Sequence, residues 1–340
     1  LPVFILDTDT SPEPGPGGAS RWWLHESLSS LDAALRQRGS RLFCARGSAV
    51  ATLVDLAGRT GASHVFWNRR FDPGGAETDR NVAAALRERG LVVSTDRGGL
   101  LFEPGEIQRA DGGPFKVFTP FWKTCLRTGL DAGTAAAPRS LPPPPDAPAG
   151  PVEKLGLLPR IHWYQGMAEA WTPGEAGALK RIEAFASGPV DRYKERRDAP
   201  SRPATSRLSP HLHFGEISPR QVLAALSART ETAGTVAGQE SFVRQLGWRE
   251  FAHHLLHHFP ETVDQPLNPR FAAFPWRSGY DDDLERWQRG QTGVPLVDAG
   301  MRELWHTGWM HNRVRMVVAS FLTKNLLIPW QEGARWFLDT

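Results

Sequence analysis

Asp131-Ala-Gly-Thr-Ala-Ala-Ala-Pro-Arg-Ser-Leu-Pro-Pro-Pro-Pro-Asp-Ala-Pro-Ala-Gly150 divides this 340-residue chain into two unlike halves. Pro142 to Pro145 stand in succession, and the run has no apolar periodicity. Proline removes backbone donors and holds extended dihedrals, so such a run spans distance without building a core. It reads as an interdomain linker over residues 129–160. The expected domains are 1–128 before it and 161–340 after it.

Upstream, short apolar runs alternate with helical patterns. Pro2 to Leu6, Arg41 to Ala45, His64 to Trp67 and Leu91 to Ser94 read as buried strands. Trp22 to Arg38, Ser48 to Arg59 and Glu77 to Arg89 read as amphipathic helices between them. Strand–helix alternation predicts an α/β domain, a Rossmann-like parallel sheet with helices on its faces. Downstream the pattern is helical throughout. Gly177 to Ser187, a helix opened by the capping-box sequence Ser218-Pro219-Arg220-Gln221, Gln239 to Phe259, Leu296 to His306 and Met310 to Asn325 predict an all-helical second domain.

Bulk properties exclude some classes and decide little else. At 40% apolar residues the chain can bury a sizeable core. No stretch of about 18 apolar residues exists, so no membrane span is expected. The first seven residues are too short and uncharged for a signal peptide. Cys44 and Cys125 lack metal-type spacing and read as reduced thiols of a cytoplasmic protein. The net charge is +3, spread over both halves, which permits a nucleic-acid partner without demonstrating one. His253, His254, His257 and His258 form two i, i+4 pairs, but no His-Glu-x-x-His pattern accompanies them, so no metal site is expected. Nine of the thirteen tryptophans follow residue 160, a concentration that calls for a cause beyond core filling.

Three runs of the second half carry chemistry. Thr205-Ser206-Arg207-Leu208-Ser209-Pro210 offers three hydroxyls and a guanidinium, a set that can hold a phosphate, though alone it reads as a polar helix cap. Phe242 to Phe251 places Phe242, Gln245 and Arg249 along one helix side, with Trp248 three residues from Gln245. Gly308-Trp309-Met310-His311-Asn312-Arg313-Val314-Arg315-Met316 sets an aromatic, an amide, a thioether and guanidiniums together. Such a set suits the wall of a polar aromatic ligand better than an apolar core.

In this order and at these separations, Thr-Ser-Arg-Leu-Ser-Pro, Trp-Arg-Glu-Phe and Gly-Trp-Met-His-Asn-Arg resemble the FAD-binding helical domain of the photolyase/cryptochrome family. The resemblance covers nearly the whole chain, and the Trp-Met-His-Asn-Arg version is like that of class I cyclobutane dimer photolyases. It implies an N-terminal α/β antenna domain, the linker, and a helical catalytic domain. It also implies light-dependent repair of pyrimidine dimers by electron transfer from excited, reduced FAD. The alternative is a cryptochrome-type blue-light receptor.

By position, the resemblance implies that Tyr193, Thr205, Ser206, Arg207, Leu208, Ser209, Phe242, Arg249, Trp309, Asn312 and Arg315 bind FAD. Trp248, Asn312, Met316 and Gln245 would meet the lesion, and Arg197, Trp248 and Arg313 would meet DNA. Trp276 and Trp330 match two members of an electron-transfer relay. The dimer would be flipped out of the duplex, the protein would act as a monomer, and a folate or deazaflavin could occupy the antenna domain. Three departures accompany the likeness. The chain begins one strand late, it stops before the family's flavin-facing Asn and innermost Trp, and Gln245 stands where dimer photolyases carry Glu. The expectation is a chain truncated at both ends.

Overall fold

The computed structural model describes residues 1–9, 15–147, 150–228 and 233–340. Its first part runs β1 (Val3–Asp7), α1 (Gly18–Gln37), β2 (Phe43–Gly47), α2 (Ala49–Thr60), β3 (His64–Asn68), α3 (Pro73–Arg87), β4 (Val92–Asp96) and α4 (Phe118–Thr128). The ends of these elements follow local chemistry. Ser48 accepts the Ala51 N–H to open α2, and Gly61 closes it in the left-handed region. Asp72 caps α3, with Pro73 in its first turn.

β1 pairs in parallel with β2, Val3 opposite Phe43, and β3 with β4, His64 opposite Val92. The two pairs are separate sheets. A cavity of about 600 Å3 lies between them, lined by Val3 and Ile5 of β1, Val65 and Trp67 of β3, and Leu53 and Leu56 of α2. The expected parallel α/β layout is therefore present, with the sheet divided between β1 and β3.

The proline run has no helix or strand through residue 147, and positions 148 and 149 lie outside the described residues. Its C-terminal end does more than span. Gly150 exchanges backbone hydrogen bonds with Cys44 at 2.9 and 3.1 Å. Val152, Leu155 and Leu157 then bury against Leu28, Leu42 and Cys44. The last third of the 129–160 segment thus closes the face of the first half, because three apolar side chains there find an open apolar surface.

The helical part comprises α5 (Gln165–Ala170), α6 (Glu175–Ala186), α7 (Tyr193–Arg196), α8 (Ser209–His213), α9 (Pro219–Ser227), α10 (Ala233–His258), α11 (Asp281–Gln288), α12 (Pro295–Thr307), α13 (Asn312–Ser320) and α14 (Trp330–Asp339). Ser218 and Gln221 form the anticipated capping box of α9. Gly308, at φ 66°, ends α12. The helix expected from Met310 to Asn325 starts two residues later at its His311 cap, and its last five residues, Phe321–Asn325, wind as a π-turn. No described helix is long and apolar enough to cross a membrane.

One core joins the halves. Phe118, Phe121, Trp122 and Cys125 form one stripe of α4 and pack with Phe242, Leu246 and Phe251 of α10. That stripe at i, i+3, i+4 and i+7 is a plain helical signal that the sequence reading passed over. A second junction centres on Glu216. Its carboxylate accepts from Trp23 Nε1 of α1 at 2.9 Å and from the Gly174 N–H at 2.7 Å, and it pairs with His211 Nδ1. Burial would raise this carboxyl, but bonds from His211, Ser27 and Gly174 hold it below its usual range.

Candidate functional site

α10 is two-sided, and that divides the molecule's chemistry. Phe242, Gln245, Leu246 and Arg249 face a cavity of about 500 Å3. Glu250 points the other way, where its Oε2 accepts the Leu101 and Phe102 N–H groups at 3.0 and 3.2 Å. Burial pushes its carboxyl up to about 7. His254, one turn on, accepts the Phe115 N–H through Nε2 and donates from Nδ1 to Pro104 O, both at 3.0 Å. This side of the helix holds the first half of the chain in place.

The cavity is walled by four further segments: Tyr193 to Asp198, Thr205 to Ser209 with Leu212, Trp309 to Asn312, and Arg315. Its floor is aromatic. Tyr193 and Phe242 meet edge-to-face at 5.4 Å, and both pack on Phe185. On one flank Arg207 lays its guanidinium over the Trp309 ring at 4.2 Å and pairs with Glu303 at 3.7 Å. Arg207 adopts φ 52°, a left-handed conformation that side chains avoid, so the loop there is held under strain. Arg181 lies close enough for Arg207 to oppose its charge, after burial the second cause that lowers its pKa.

Arg315 is half-buried, its guanidinium 4.6 Å over the Phe337 ring, and the desolvation lowers its pKa. No ion pair to it occurs among the described residues. Arg249 reaches past the cavity to donate to Gly99 O at 2.6 Å and more distantly to Leu212 O. Gln245 donates to Ser241 O, leaving its amide oxygen free toward the cavity.

Every residue for which the sequence implied a flavin contact lines this one cavity: Tyr193, Thr205 to Ser209, Phe242, Arg249, Trp309, Asn312 and Arg315. Gln245 and Arg197 line it too. Trp248 does not. It is 47% exposed and stacks flat on Phe118 of α4, centroids 3.8 Å apart, because it lies about 100° round α10 from Arg249. Met316 and Arg313 sit at the rim, where Met316 Sδ is 3.8 Å from Asn312 Nδ2 and 3.9 Å from Arg313 Nη1. Trp276 packs on Phe274 at 4.4 Å, and Trp330 opens α14; neither lines the cavity. The Arg277 N–H bond to Leu327 O, 2.9 Å, ties their two segments together.

Two polar cavity residues, His311 and Asp198, were given no role in the sequence reading. His311 accepts the Arg313 N–H through Nδ1 at 3.1 Å, which leaves its Nε2 as a buried donor with no partner among the described residues. Asp198 bridges to Arg313 across 115 positions. An acid beside Arg197 was visible in the sequence, whereas its distant partner was not.

These groups fit FAD. A half-buried Arg315 with no acid partner among the described residues, Arg207 beside three hydroxyls, the His311 Nε2 with no partner among them, and an aromatic floor suit a diphosphate joined to flat heteroaromatic rings. The four histidines of α10 do not gather into a metal site: among the described residues no such cluster of three or more His, Cys, Asp or Glu occurs.

Comparison with known proteins follows the same division. Residues 1–146 match the family described as DNA photolyase, and residues 242–340 match the FAD binding domain of DNA photolyase. The chain is 45% identical over its whole length to the deoxyribodipyrimidine photo-lyase of Agrobacterium fabrum, of which it covers 70%. It is 37% identical to cryptochrome-1 of Arabidopsis thaliana, covering all of this chain and 51% of that protein. The crystal structure of a bacterial class III photolyase from Agrobacterium tumefaciens superposes with a TM-score of 0.92 at 45% identity, covering 100% of this chain and 70% of that one. That of an archaeal photolyase from Sulfolobus tokodaii, with two FAD molecules, superposes at 0.79 with 26% identity, covering 100% of this chain and 73% of that one. The class I expectation gains no support from these matches. Fold, cavity and relatives agree that this chain belongs to the DNA photolyase family.

Proposed function

We propose that this protein is a light-dependent deoxyribodipyrimidine photo-lyase that reopens cyclobutane pyrimidine dimers in DNA. The observation that supports it most is the convergence of Tyr193, Thr205 to Ser209, Phe242, Arg249, Trp309, Asn312 and Arg315 on one cavity. Bound, reduced FAD would supply the excited electron that opens the cyclobutane ring. The chain's own residues bind and orient. Arg207 and the loop hydroxyls would hold the diphosphate, Tyr193 and Phe242 would floor the cavity, and Arg249 and Arg315 would supply fixed positive charge around the rings. A dimer inside a duplex cannot reach such a cavity, so it would be flipped out, as enzymes that do chemistry on a base extrude their target from the stack. Asn312, Met316 and Gln245 would meet it at the rim. Trp248 would offer its exposed face to the lesion or to flanking bases, and Arg197 and Arg313 would hold phosphates. Trp276 and Trp330 would pass electrons from the surface.

The reading extends to class III, by likeness to the Agrobacterium structure, to a monomer, to the cytoplasm, and to the domain limits 1–128, 129–160 and 161–340. A second chromophore, a folate or deazaflavin, would sit in the first half. The cavity of about 540 Å3 lined by Trp67, Arg69, Arg70, Arg80, Arg87 and His257 has the aromatic and cationic groups for an anionic heteroaromatic ring.

The test is to load the protein with FAD, reduce it, add dimer-containing oligothymidine and follow the return of thymine absorbance under blue light. Light-dependent recovery is expected. Flavin binding without recovery would favour the receptor reading, for which Gln245 in place of a carboxylic acid is the one specific observation.

A further inference from the structure

Asp198 sits at the rim of the cavity between two arginines. Its Oδ1 and Oδ2 accept from Arg313 Nε and Nη2 at 2.8 and 2.9 Å, a bidentate pair, and Arg197 Nε approaches Oδ1 at 3.4 Å. The pair joins α7, just before Asp198, to the first turn of α13, segments 115 positions apart. The hydrogen bonds from Arg313 hold the Asp198 carboxyl below its usual range, so it stays charged. Its side chain is 52% exposed, and water and ions reach the pair freely.

A carboxylate gripped by two parallel N–H groups presents to Arg313 the same acceptor geometry as a phosphate. We propose that Asp198 is a built-in stand-in for a DNA phosphate, a positioning residue that presets Arg313 and Arg197 at the rim and must be exchanged for a phosphate when DNA docks. This rests on the photolyase reading of the cavity. The exchange has a thermodynamic signature. Each phosphate neutralised by a free arginine releases condensed counterions and adds about 0.9 to the slope of log affinity against log salt. When Arg313 leaves Asp198 for a phosphate, the exposed carboxylate regains a cation, and that contribution is largely cancelled. Asp198 therefore weakens sequence-independent binding and flattens its salt dependence, while keeping the guanidiniums oriented.

The experiment measures affinity for intact duplex DNA across a salt series, for the unsubstituted protein, Asp198→Asn, Asp198→Glu, Arg313→Gln and the double variant Asp198→Asn with Arg313→Gln. Asp198→Asn is expected to steepen the slope by about 0.9 and to tighten low-salt binding several-fold. Asp198→Glu should restore the original slope, and most of the increment should vanish when Arg313 is also replaced. An unchanged slope in Asp198→Asn, or an increment that survives in the double variant, overturns the proposal. A protein that binds no DNA at any salt sinks the photolyase reading and this inference together, a result none of the other outcomes resembles.

Discussion

The cavities beside β1 and beside α10 are similar in size and unlike in what lines them. The cavity between β1 and β3, about 600 Å3, is lined mainly by Val, Ile, Leu and Phe side chains from strand edges and α2. The cavity beside α10, about 500 Å3, is lined by four arginines, three hydroxyls, an amide pair and aromatic rings from five segments. The first arises because two parallel strand pairs are not joined. The second arises because separate helices deliver polar groups to one point, at the cost of desolvating them. Volume does not separate them, but the cost of burial does. A desolvated guanidinium is retained only where something repays it, whereas an apolar gap needs no ligand to explain it.

The sharpest way to break this contrast is to exchange one residue in each cavity. Arg315→Leu removes a half-buried charge that has no acid partner among the described residues, and FAD affinity should fall by about a hundredfold, since a charge-assisted contact contributes roughly 1.5–3 kcal/mol. Ile5→Ala should lower stability by about 1–2 kcal/mol and leave FAD affinity unmoved. Fluorescence titration of the flavin, alongside a urea midpoint for each variant, checks both. Equal effects on FAD from the two variants would erase the distinction.

A second test compares the two sides of α10. Glu250 has its carboxyl raised from an ordinary 4.5 to about 7, chiefly by burial. The folded state thus holds this proton more tightly than the unfolded chain does. The resulting stabilisation is complete below about pH 4.5 and is lost as pH rises through about 7, by an amount on the order of 3 kcal/mol. Glu250→Gln should flatten that part of the stability–pH profile, because an amide oxygen still accepts the Leu101 and Phe102 N–H groups without titrating. Urea midpoints across this range decide it, and an unaltered slope in the variant would assign the pH dependence elsewhere.

The smallest expected effect concerns Trp248. Its flat stack on Phe118 contributes about 1 kcal/mol, so Trp248→Ala should cost about that much stability. It should also reduce the preference for dimer-containing over intact DNA. A variant that loses the stability but keeps the preference would make Trp248 a purely structural contact between α10 and α4.

What the sequence disclosed follows the range of the interactions. The strands, the helix caps at Ser48 and Ser218 and the stop at Gly308 depend on neighbours a few residues away, and each was legible. The cavity residues were legible because they fall in three short runs whose residue types conflict with an ordinary core. What escaped was decided between runs. Nothing near Arg313 announces that Asp198 takes two of its donors, and nothing near Trp248 announces Phe118 beneath it. The burial of Val152, Leu155 and Leu157 was hidden for a different reason. They follow directly on the proline run, whose composition coloured the reading of the whole segment. α4 was missed although its stripe is regular, because attention stayed with the alternation before it.

The Glu216 junction and the shared α4–α10 core bear on how the protein comes apart. Trp23 belongs to the first half and Gly174 to the second, and both depend on one buried carboxylate. Neither half can melt without exposing apolar surface of the other and stranding its polar groups. Calorimetry should therefore show one cooperative transition where the proline run suggests two. A trypsin-like protease that cuts after the exposed Arg139 would sever the chain and leave the molecule in one piece.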